Sequence, residues 1–349
     1  MLPPTPALVV DPDVLDANLA AMQARADAAG VRLRPHVKGH KSAWVAGRQL
    51  ARGASGLAAA TVEEVAGLIA AGHGGDVLLT SVLSPRRVDD VVALRRAGDV
   101  AVVVDAVELP GLVAERARAA GVTVRVLLDL DIGQRRGAAR TPAIAAAIAD
   151  AVAREGDVLA LAGVQAYEGH LQLLPAEERA AGHARAMDVL REMLDAVRAR
   201  GHAIPLVTSA GTGTAALVER DGAPLVNEVQ PGSYALMDAK YAAAGAEFAN
   251  AATVASTVLS APGDGEVLVD AGLKAVSIDH GPPTVLGLDA TWASAGDEHG
   301  RVSGDVGHLR PGDRLVLHPS HTDTTVRLHR TLWLAREGDD VPPLALPLF

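Results

Sequence analysis

Eight short β-rich runs alternate with amphipathic helical stretches between residues 32 and 234. The runs lie at 32–38, 56–60, 76–81, 100–105, 122–131, 161–168, 206–209 and 226–234. Most of them are apolar on both faces, as parallel strands covered by helices are, and several connecting helices end at a glycine, such as Gly53, Gly72 and Gly121. Because eight strand–helix units close most simply into a ring, the sequence predicts an α/β fold of the TIM (β/α)8 type.

The two ends of the chain depart from this repeat. A short strand at 7–10 and a helix at 11–29 precede it. Beyond residue 246, short strands are predicted at 254–259, 266–270, 314–317 and 326–333, and the turn-rich stretch 281–312 is predicted to form long loops. We therefore predict a barrel domain at 11–245 and a mainly β domain at 246–349, to which the strand within 1–10 also belongs.

Composition restricts the classes of partner. The net charge of −10 repels phosphate backbones and anionic lipids, so neither nucleic acid nor membrane is expected as a partner. With no cysteine in 349 residues, a bound metal must be held by His, Asp, Glu or water. The first residues lack the features of a signal peptide, and we expect a cytoplasmic protein.

Polar residues that follow the predicted barrel strands are the candidates for chemistry, because the active sites of such barrels lie at the carboxyl ends of the strands. Lys38 ends the first strand, and Arg136 follows the fifth. Tyr167 and His170 end the sixth within QAYEGH, and the seventh is followed by SAGTGT at 209–214. Gln230 and Tyr234 flank the end of the eighth.

The SAGTGT run has the composition of a phosphate-binding loop. Gly211 and Gly213 let backbone N–H groups approach an anion, the hydroxyls of Thr212 and Thr214 add donors, and the helix that begins at Thr214 presents its positive end. The alternative is an ordinary glycine-rich turn, which is the more common meaning of a short glycine motif. The position after the seventh strand favours phosphate binding.

Lys38 lies between an apolar strand and a glycine, in LRPHVKG. A lysine there is expected to be partly desolvated, which favours the neutral amine that forms a Schiff base with an aldehyde. A solvated surface lysine is the alternative. Arg136 is either an exposed arginine or, if it points inward, a permanent charge that keeps a neighbouring pyridine nitrogen unprotonated.

A second group of polar residues occurs in LHPSHTDTTV, where His321 and Asp323 are separated by one residue. On an extended backbone the two side chains would share one side and could hold one cation. A bare HxD is more often an exposed polar loop, but His318 nearby favours the metal hypothesis. Nitrogen and oxygen ligands without sulfur suit Mn²⁺ or Mg²⁺.

Together these motifs resemble the fold-type III pyridoxal phosphate enzymes, and within them the D-threonine aldolase and D-serine dehydratase group. The motifs that carry the resemblance are, in order, RPHVKGHK, GVQAYEGH, SAGTGT, EVQPGSYALMD, DAGLKAVSIDHG, DEHG and PSHTDTTV. The resemblance implies an alanine racemase-like barrel, a homodimer, and a cofactor bound covalently by Lys38. It further implies that Arg136 pairs with the pyridine nitrogen, that 209–214 and Tyr234 surround the phosphate, and that His321 and Asp323 bind the metal.

Within this group, aldolases are similar to one another in having HxD where dehydratases have HxC, and this chain has Asp323. It departs from the usual pattern at Gly39, at Thr324 and in the absence of a cysteine after Arg136, which affects the substrate more than the reaction class. The resemblance implies retro-aldol cleavage of a D-β-hydroxy-α-amino acid, D-threonine-like, to glycine and an aldehyde.

Three alternatives remain open: a metal-dependent dehydratase acting on D-serine or D-3-hydroxyaspartate, an amino-acid racemase, and a non-catalytic cofactor-binding protein. The general base is also open. His170 is a candidate, although a histidine bonded to backbone is as plausible, and Tyr167 is either a site residue or a packing ring.

Overall fold

Two compact units make up the protein in the computed structural model, which describes residues 3–218, 225–336 and 342–349. One unit is formed by Met22–Lys38 and Val45–Gly232, and we call it the barrel domain. The rest of the described chain forms the other unit, the β domain. The boundary between 245 and 246 stays a prediction.

The strands are β1 Ala7–Val10, β2 Arg32–Leu33, β3 Leu57–Ala59, β4 Val77–Leu79, β5 Val100–Val104, β6 Val124–Leu130, β7 Leu159–Ala166, β8 Leu206–Ser209, β9 Glu228–Val229, β10 Ala252–Ser260, β11 Glu266–Val269, β12 Thr284–Val285, β13 Ala290–Ser294, β14 Gly300–Gly304, β15 Arg314–His318, β16 Thr331–Leu334 and β17 Leu344–Pro347. The α-helices are α1 Pro12–Ala29, α2 Ala43–Ala51, α3 Val62–Ala70, α4 Val88–Ala97, α5 Leu109–Ala120, α6 Pro142–Arg154, α7 Ala176–Ala199, α8 Ala215–Val218, α9 Ala239–Ala243 and α10 Thr322–Val326.

The barrel domain is a parallel sheet in the order β2-β9-β8-β7-β6-β5-β4-β3. A parallel bridge between His36 and Ala58, just beyond β2 and within β3, joins the two ends of this order and closes the ring. All eight predicted strand positions are confirmed, and so is the TIM-barrel prediction. The apolar runs explain why: β5, for example, is VAVVV and is buried at every residue, as a strand covered on both faces must be.

A buried ion-pair cluster lies near the amino ends of the barrel strands. The guanidinium of Arg34, which is 2% exposed, donates to Glu228 at 2.7 Å and to Asp76 at 2.9 Å. Asp76 also accepts from Arg125 at 2.6 Å. Because Glu228 is fully buried, its charge depends on this pairing, which makes the cluster a structural part of the domain.

In the β domain, six antiparallel strands form a closed ring, since β11 pairs with both β14 and β10 in the order β11-β14-β13-β12-β15-β10. Alternate side chains of these strands fill its interior, among them Val254, Val267 and Trp292. The sheet continues through β1, β16 and β17. The expectation of long loops at 281–312 was wrong: β12, β13 and β14 lie there, and their alternating polar and apolar residues suit strands buried on one face.

Several predicted strands have different bounds in the structure, and the run 226–234 is a strand only at Glu228–Val229. The run 32–38 is a strand only at Arg32–Leu33, because Pro35 has no N–H to donate, and Lys38 lies in the short 3₁₀ turn Val37–Gly39. The strand predicted at 326–333 begins at Thr331, since Val326 ends α10. Among the described residues, the helices are all too short or too polar to span a membrane.

Candidate active site

Lys38 lies beyond the carboxyl end of β2, at the barrel end where β6, β7, β8 and β9 also terminate. Its backbone N–H donates to Nδ1 of His36 at 3.3 Å, which fixes the 3₁₀ turn that carries it. The residue is half-buried, in line with the partial desolvation expected.

Arg136 lies in the loop between β6 and α6, which is held by hydrogen bonds among its own residues. Oδ1 of Asp131 accepts hydrogen bonds from the backbone of Gly133 at 2.9 Å and of Arg135 at 3.0 Å. Gly133 and Arg135 both have positive φ values, 122° and 57°, so the loop turns sharply at both residues. The side chain of Arg136 is exposed.

Tyr167 follows β7 directly, and both cationic candidates lie near its ring. Nζ of Lys38 is 5.9 Å from the centre of its ring, and the guanidinium carbon of Arg136 is 5.3 Å from the same centre. The tyrosine ring therefore brings Lys38 and Arg136 to one place, although 98 positions separate them in sequence (136 − 38).

A buried contact between two side chains anchors the segment that follows Tyr167. Glu168 is fully buried and pairs with Nδ1 of His183 on α7, at 2.9 and 3.1 Å. His170 lies in the 3₁₀ turn Gly169–Leu171 and is exposed. Its ring stands close to Gly133, where an added Cβ would be 3.2 Å from the imidazole.

The loop 209–214 follows β8 as expected, but its two glycines have a packing role. A Cβ on Gly211 would lie 2.5 Å from Oε1 of Gln172, and a Cβ on Gly213 would lie 2.3 Å from the backbone oxygen of Gln172. That glutamine also accepts from Gly213 N at 2.9 Å and donates to Thr214 at 3.0 Å. The loop is thus ordered by its neighbour before any ligand binds.

One hydroxyl of this loop is unsatisfied. Ser209 is 1% exposed, and its Oγ has no hydrogen-bond partner among the described residues. A buried donor of this kind costs free energy unless a ligand or water engages it. An anion beside the loop would supply the missing acceptor, so the residues present fit a phosphate group, and Lys38 fits an aldehyde.

Gln230 follows β9 and donates to Thr208 Oγ1 at 2.8 Å, which fixes its side chain inside the barrel. Thr212 and Thr214 are buried. Tyr234 belongs to the β domain, where it is 1% exposed and its ring centre lies 5.7 Å from that of Phe248.

Sequence reasoning missed a buried polar chain inside the barrel. Nε2 of His36 lies 3.0 Å from Thr80 Oγ1, and Gln165 donates from Nε2 to the Thr80 carbonyl and to Asp129 Oδ1, each at 2.9 Å. Asp129 lies on β6, and burial raises its pKa to about 6 against the opposing effects of Gln165 and Arg136. An acidic residue within the otherwise apolar segment VLLDL at 126–130 was the signal that could have identified it.

In the β domain, one group of described residues offers metal ligands in close proximity. Donor atoms of Asp279, His280 and His321 lie within 4.8 Å of one another. Partial burial raises the pKa of Asp279, but hydrogen bonds from Ser277, His321 and Thr324 outweigh it and lower the value to about 2. Asp279 and His280 were not anticipated, although both lie in the SIDHG motif.

The predicted pair of His321 and Asp323 has a different backbone from the one expected. His321 is extended, with φ −140° and ψ 109°, but it caps α10, and Asp323 lies in the first turn of that helix. Asp323 Oδ1 accepts from Ser233 at 3.3 Å. His318, at the end of β15, is buried, and burial lowers its pKa. The argument from an extended HxD is therefore wrong, whereas the ligand pair itself stays a prediction.

Comparison with known families agrees with this architecture. Residues 10–240 match the model of the alanine racemase N-terminal domain, and residues 251–335 match that of a putative serine dehydratase domain. The first match alone spans more than half of the chain. The chain belongs to the alanine racemase-like family of pyridoxal phosphate-dependent enzymes.

Individual relatives within the family indicate which enzymes this chain is similar to. A D-threonine aldolase from an Arthrobacter species is 36% identical over 342 residues, covering 96% of this chain and 89% of the relative. A D-threo-3-hydroxyaspartate dehydratase from Delftia sp. (strain HT23) is 38% identical over 292 residues, covering 79% and 73%. The crystal structure of D-threonine aldolase from Filomicrobium marinum superposes with a TM-score of 0.91 at 33% identity, covering 99% of this chain and 95% of that one.

Proposed function

We propose that this protein is a lyase that uses pyridoxal phosphate and a divalent metal to cleave D-β-hydroxy-α-amino acids, D-threonine-like, into glycine and an aldehyde. The observation that carries the proposal is that Lys38 and Arg136 both lie near the ring of Tyr167, at 5.9 and 5.3 Å from its centre. The 36% identity to a D-threonine aldolase over 96% of the chain supports the reaction class.

The side chains of the barrel domain would hold and orient the cofactor. Lys38 would bind the aldehyde through its amine, and the unsatisfied hydroxyl of Ser209 would donate to the phosphate together with the loop residues Gly211, Thr212, Gly213 and Thr214. When bound, pyridoxal phosphate supplies an electron sink for the Cα–Cβ bond that breaks. Arg136 would keep the pyridine nitrogen unprotonated, since a guanidinium does not release its proton.

Metal binding is assigned to His321 and Asp323. A divalent cation held there, Mn²⁺ or Mg²⁺, would supply Lewis acidity for the β-hydroxyl of the substrate. Tyr167 and Gln230 would line the cofactor site, and Tyr234 is proposed as a further phosphate neighbour. His170 is the proposed general base because its imidazole is exposed and lies close to Gly133 in the loop that carries Arg136.

Dehydration is the second candidate function. It is favoured by the 38% identity to the D-threo-3-hydroxyaspartate dehydratase, and opposed by Asp323, which stands where we expect the dehydratases to have cysteine. Both reactions start from the same class of substrate, so only the products separate them.

The decisive experiment incubates the cofactor-loaded protein with D-threonine, D-3-hydroxyaspartate and D-serine, with and without EDTA. Metal-dependent formation of glycine and an aldehyde supports the aldolase, whereas an oxo acid with ammonia supports the dehydratase. Turnover that inverts the α-carbon and survives EDTA would indicate a racemase. No turnover with any D-β-hydroxy amino acid would leave a non-catalytic cofactor-binding protein.

A homodimer, a cytoplasmic location and manganese as the natural metal stay predictions. Light scattering of the purified protein measures the first, fractionation of the source cells the second, and metal analysis of protein isolated without added metal the third.

A further inference from the structure

His321 and Asp279 form a short hydrogen bond within the β domain. Nδ1 of His321 lies 2.6 Å from Oδ2 of Asp279, although the two residues are 42 positions apart. A carboxylate can only accept, so the imidazole must carry its proton on Nδ1 in this contact. The other ring nitrogen, Nε2, is then left with a lone pair in the neutral ring.

The rest of the Asp279 carboxylate is also engaged. Its Oδ1 accepts from Ser277 Oγ at 2.7 Å and from Thr324 Oγ1 at 2.9 Å. These three donors occupy most of the roughly four acceptor positions of the carboxylate. Such a hydrogen-bonded carboxylate is typical of a residue that orients a metal-binding side chain.

His280 does not complete a three-ligand site in this arrangement. Its ring is stacked on that of His321, with centres 4.0 Å apart and planes 5° from parallel. The lone pair of an imidazole lies in the plane of its ring, and one cation cannot lie in two parallel, separated planes. Although the donor atoms of Asp279, His280 and His321 lie close together, the three side chains cannot all bind one cation in this arrangement. The stacking instead restricts the rotation of the His321 ring.

We propose that Asp279 is a positioning residue for the metal site: it holds the proton of His321 on Nδ1 and thereby presents Nε2 to a divalent cation. This inference rests on the proposed function in one part, the binding of a cation at Nε2. The other part, the position of the proton on Nδ1, is independent of catalysis. In metal sites generally, a carboxylate behind a ligating histidine fixes both the tautomer and the orientation of the ring, and its loss costs about 10- to 100-fold in affinity.

The first test measures the tautomer without any metal. In cofactor-loaded protein labelled with ¹⁵N-histidine, two-bond proton–nitrogen spectra separate protonated from unprotonated ring nitrogens, and the signal lost in His321→Gln identifies His321. We expect the Nδ1–H form in the wild type and a substantial Nε2–H population in Asp279→Ala. A wild-type signal from Nε2–H, or a variant with an unchanged tautomer, would overturn the proposal.

The second test measures Mn²⁺ binding to the same holoproteins by titration calorimetry. Asp279→Ala should bind about 10- to 100-fold more weakly than wild type. Asp279→Asn should recover much of this loss, because the amide oxygen can still accept from Nδ1. The matched control is Asp305→Asn, an exposed aspartate of the same domain, which should bind normally.

The outcomes separate this inference from the proposed function. If Asp279→Ala binds Mn²⁺ as wild type does, the positioning role is wrong. If Asp279→Asn loses binding as completely as His321→Ala, Asp279 is a direct ligand and the inference is equally wrong. If wild type binds no Mn²⁺ but shows the Nδ1–H tautomer, the metal dependence in the proposed function fails while the role of Asp279 in orienting His321 stands.

Discussion

Gln165 donates a hydrogen bond to Asp129 inside the barrel, from Nε2 to Oδ1 at 2.9 Å, and Asp129 is only 6% exposed. Burial is the main reason that the pKa of Asp129 rises from 3.8 to about 6. A raised pKa in a carboxyl group means that its ionisation opposes folding. The unfolded chain releases this proton near pH 4, whereas the folded chain keeps it until about pH 6.

The stability difference between the wild type and Asp129→Asn should therefore depend on pH. The folded state binds more protons between pH 4 and 6, so the contribution of Asp129 to stability falls as the pH rises, by about 3 kcal/mol in total. Asp129→Asn removes the titration. Its unfolding free energy relative to wild type should therefore improve by about 3 kcal/mol between pH 4 and pH 7. Urea unfolding of the cofactor-free proteins, followed by helical circular dichroism, measures this difference, and a value independent of pH would contradict it.

Replacing Lys38 should remove covalent cofactor binding. We expect Lys38→Ala to lack the yellow imine chromophore after reconstitution and to lose turnover with D-β-hydroxy amino acids, because no amine remains to join the aldehyde. Lys240→Ala, in α9, is the matched control and should keep the chromophore. A Lys38→Ala protein that remains yellow, with cofactor that resists dialysis, would show that another amine binds it.

Removing Arg34 should destabilise the barrel domain strongly. Arg34→Met leaves the fully buried Glu228 without its main partner, which we expect to cost about 3–5 kcal/mol. Arg118, in α5, pairs with Glu155 and Asp157 on the surface, and Arg118→Met should destabilise the protein far less, because solvent screens an exposed ion pair. Parallel denaturant titrations compare the two. Similar losses would mean that the buried cluster contributes no more than a surface ion pair.

The two glycines Gly213 and Gly111 should respond oppositely to alanine. At Gly213 the new methyl group would lie 2.3 Å from the Gln172 carbonyl oxygen, so the loop must shift; we expect a loss of about 1–3 kcal/mol and weaker binding of pyridoxal phosphate. At Gly111, in α5, the methyl group meets open space, and better helix propensity should add up to about 1 kcal/mol. Thermal unfolding and cofactor titration of both variants test this, and a neutral Gly213→Ala would count against the close packing.

The sequence predicted the barrel correctly because its signal is local. An all-apolar run such as β5, bounded by helices, fits only a strand covered on both faces, and the order of such runs determines their parallel closure. Strand ends were less certain, since Pro35 shortened β2 and the turn-rich stretch at 281–312 contained three strands. Gly300 and Gly304 lie within β14 and still pair with β13, because pairing uses the backbone and tolerates a residue of low strand propensity.

By itself the sequence determined the barrel and the second β domain. It also placed Lys38, Arg136 and Tyr167 after barrel strands and indicated His321 as a candidate metal ligand, because each of these predictions follows from neighbouring residues. Only the tertiary structure decided that Gln172 packs against the glycines of the loop 209–214, that Gln165 donates to Asp129, and that Asp279 is hydrogen-bonded to His321. These pairs lie 36 to 42 positions apart or are set by packing between separate elements. Hydrogen-bond geometry at such separations depends on where the chain returns in space, and no local pattern of side chains records it.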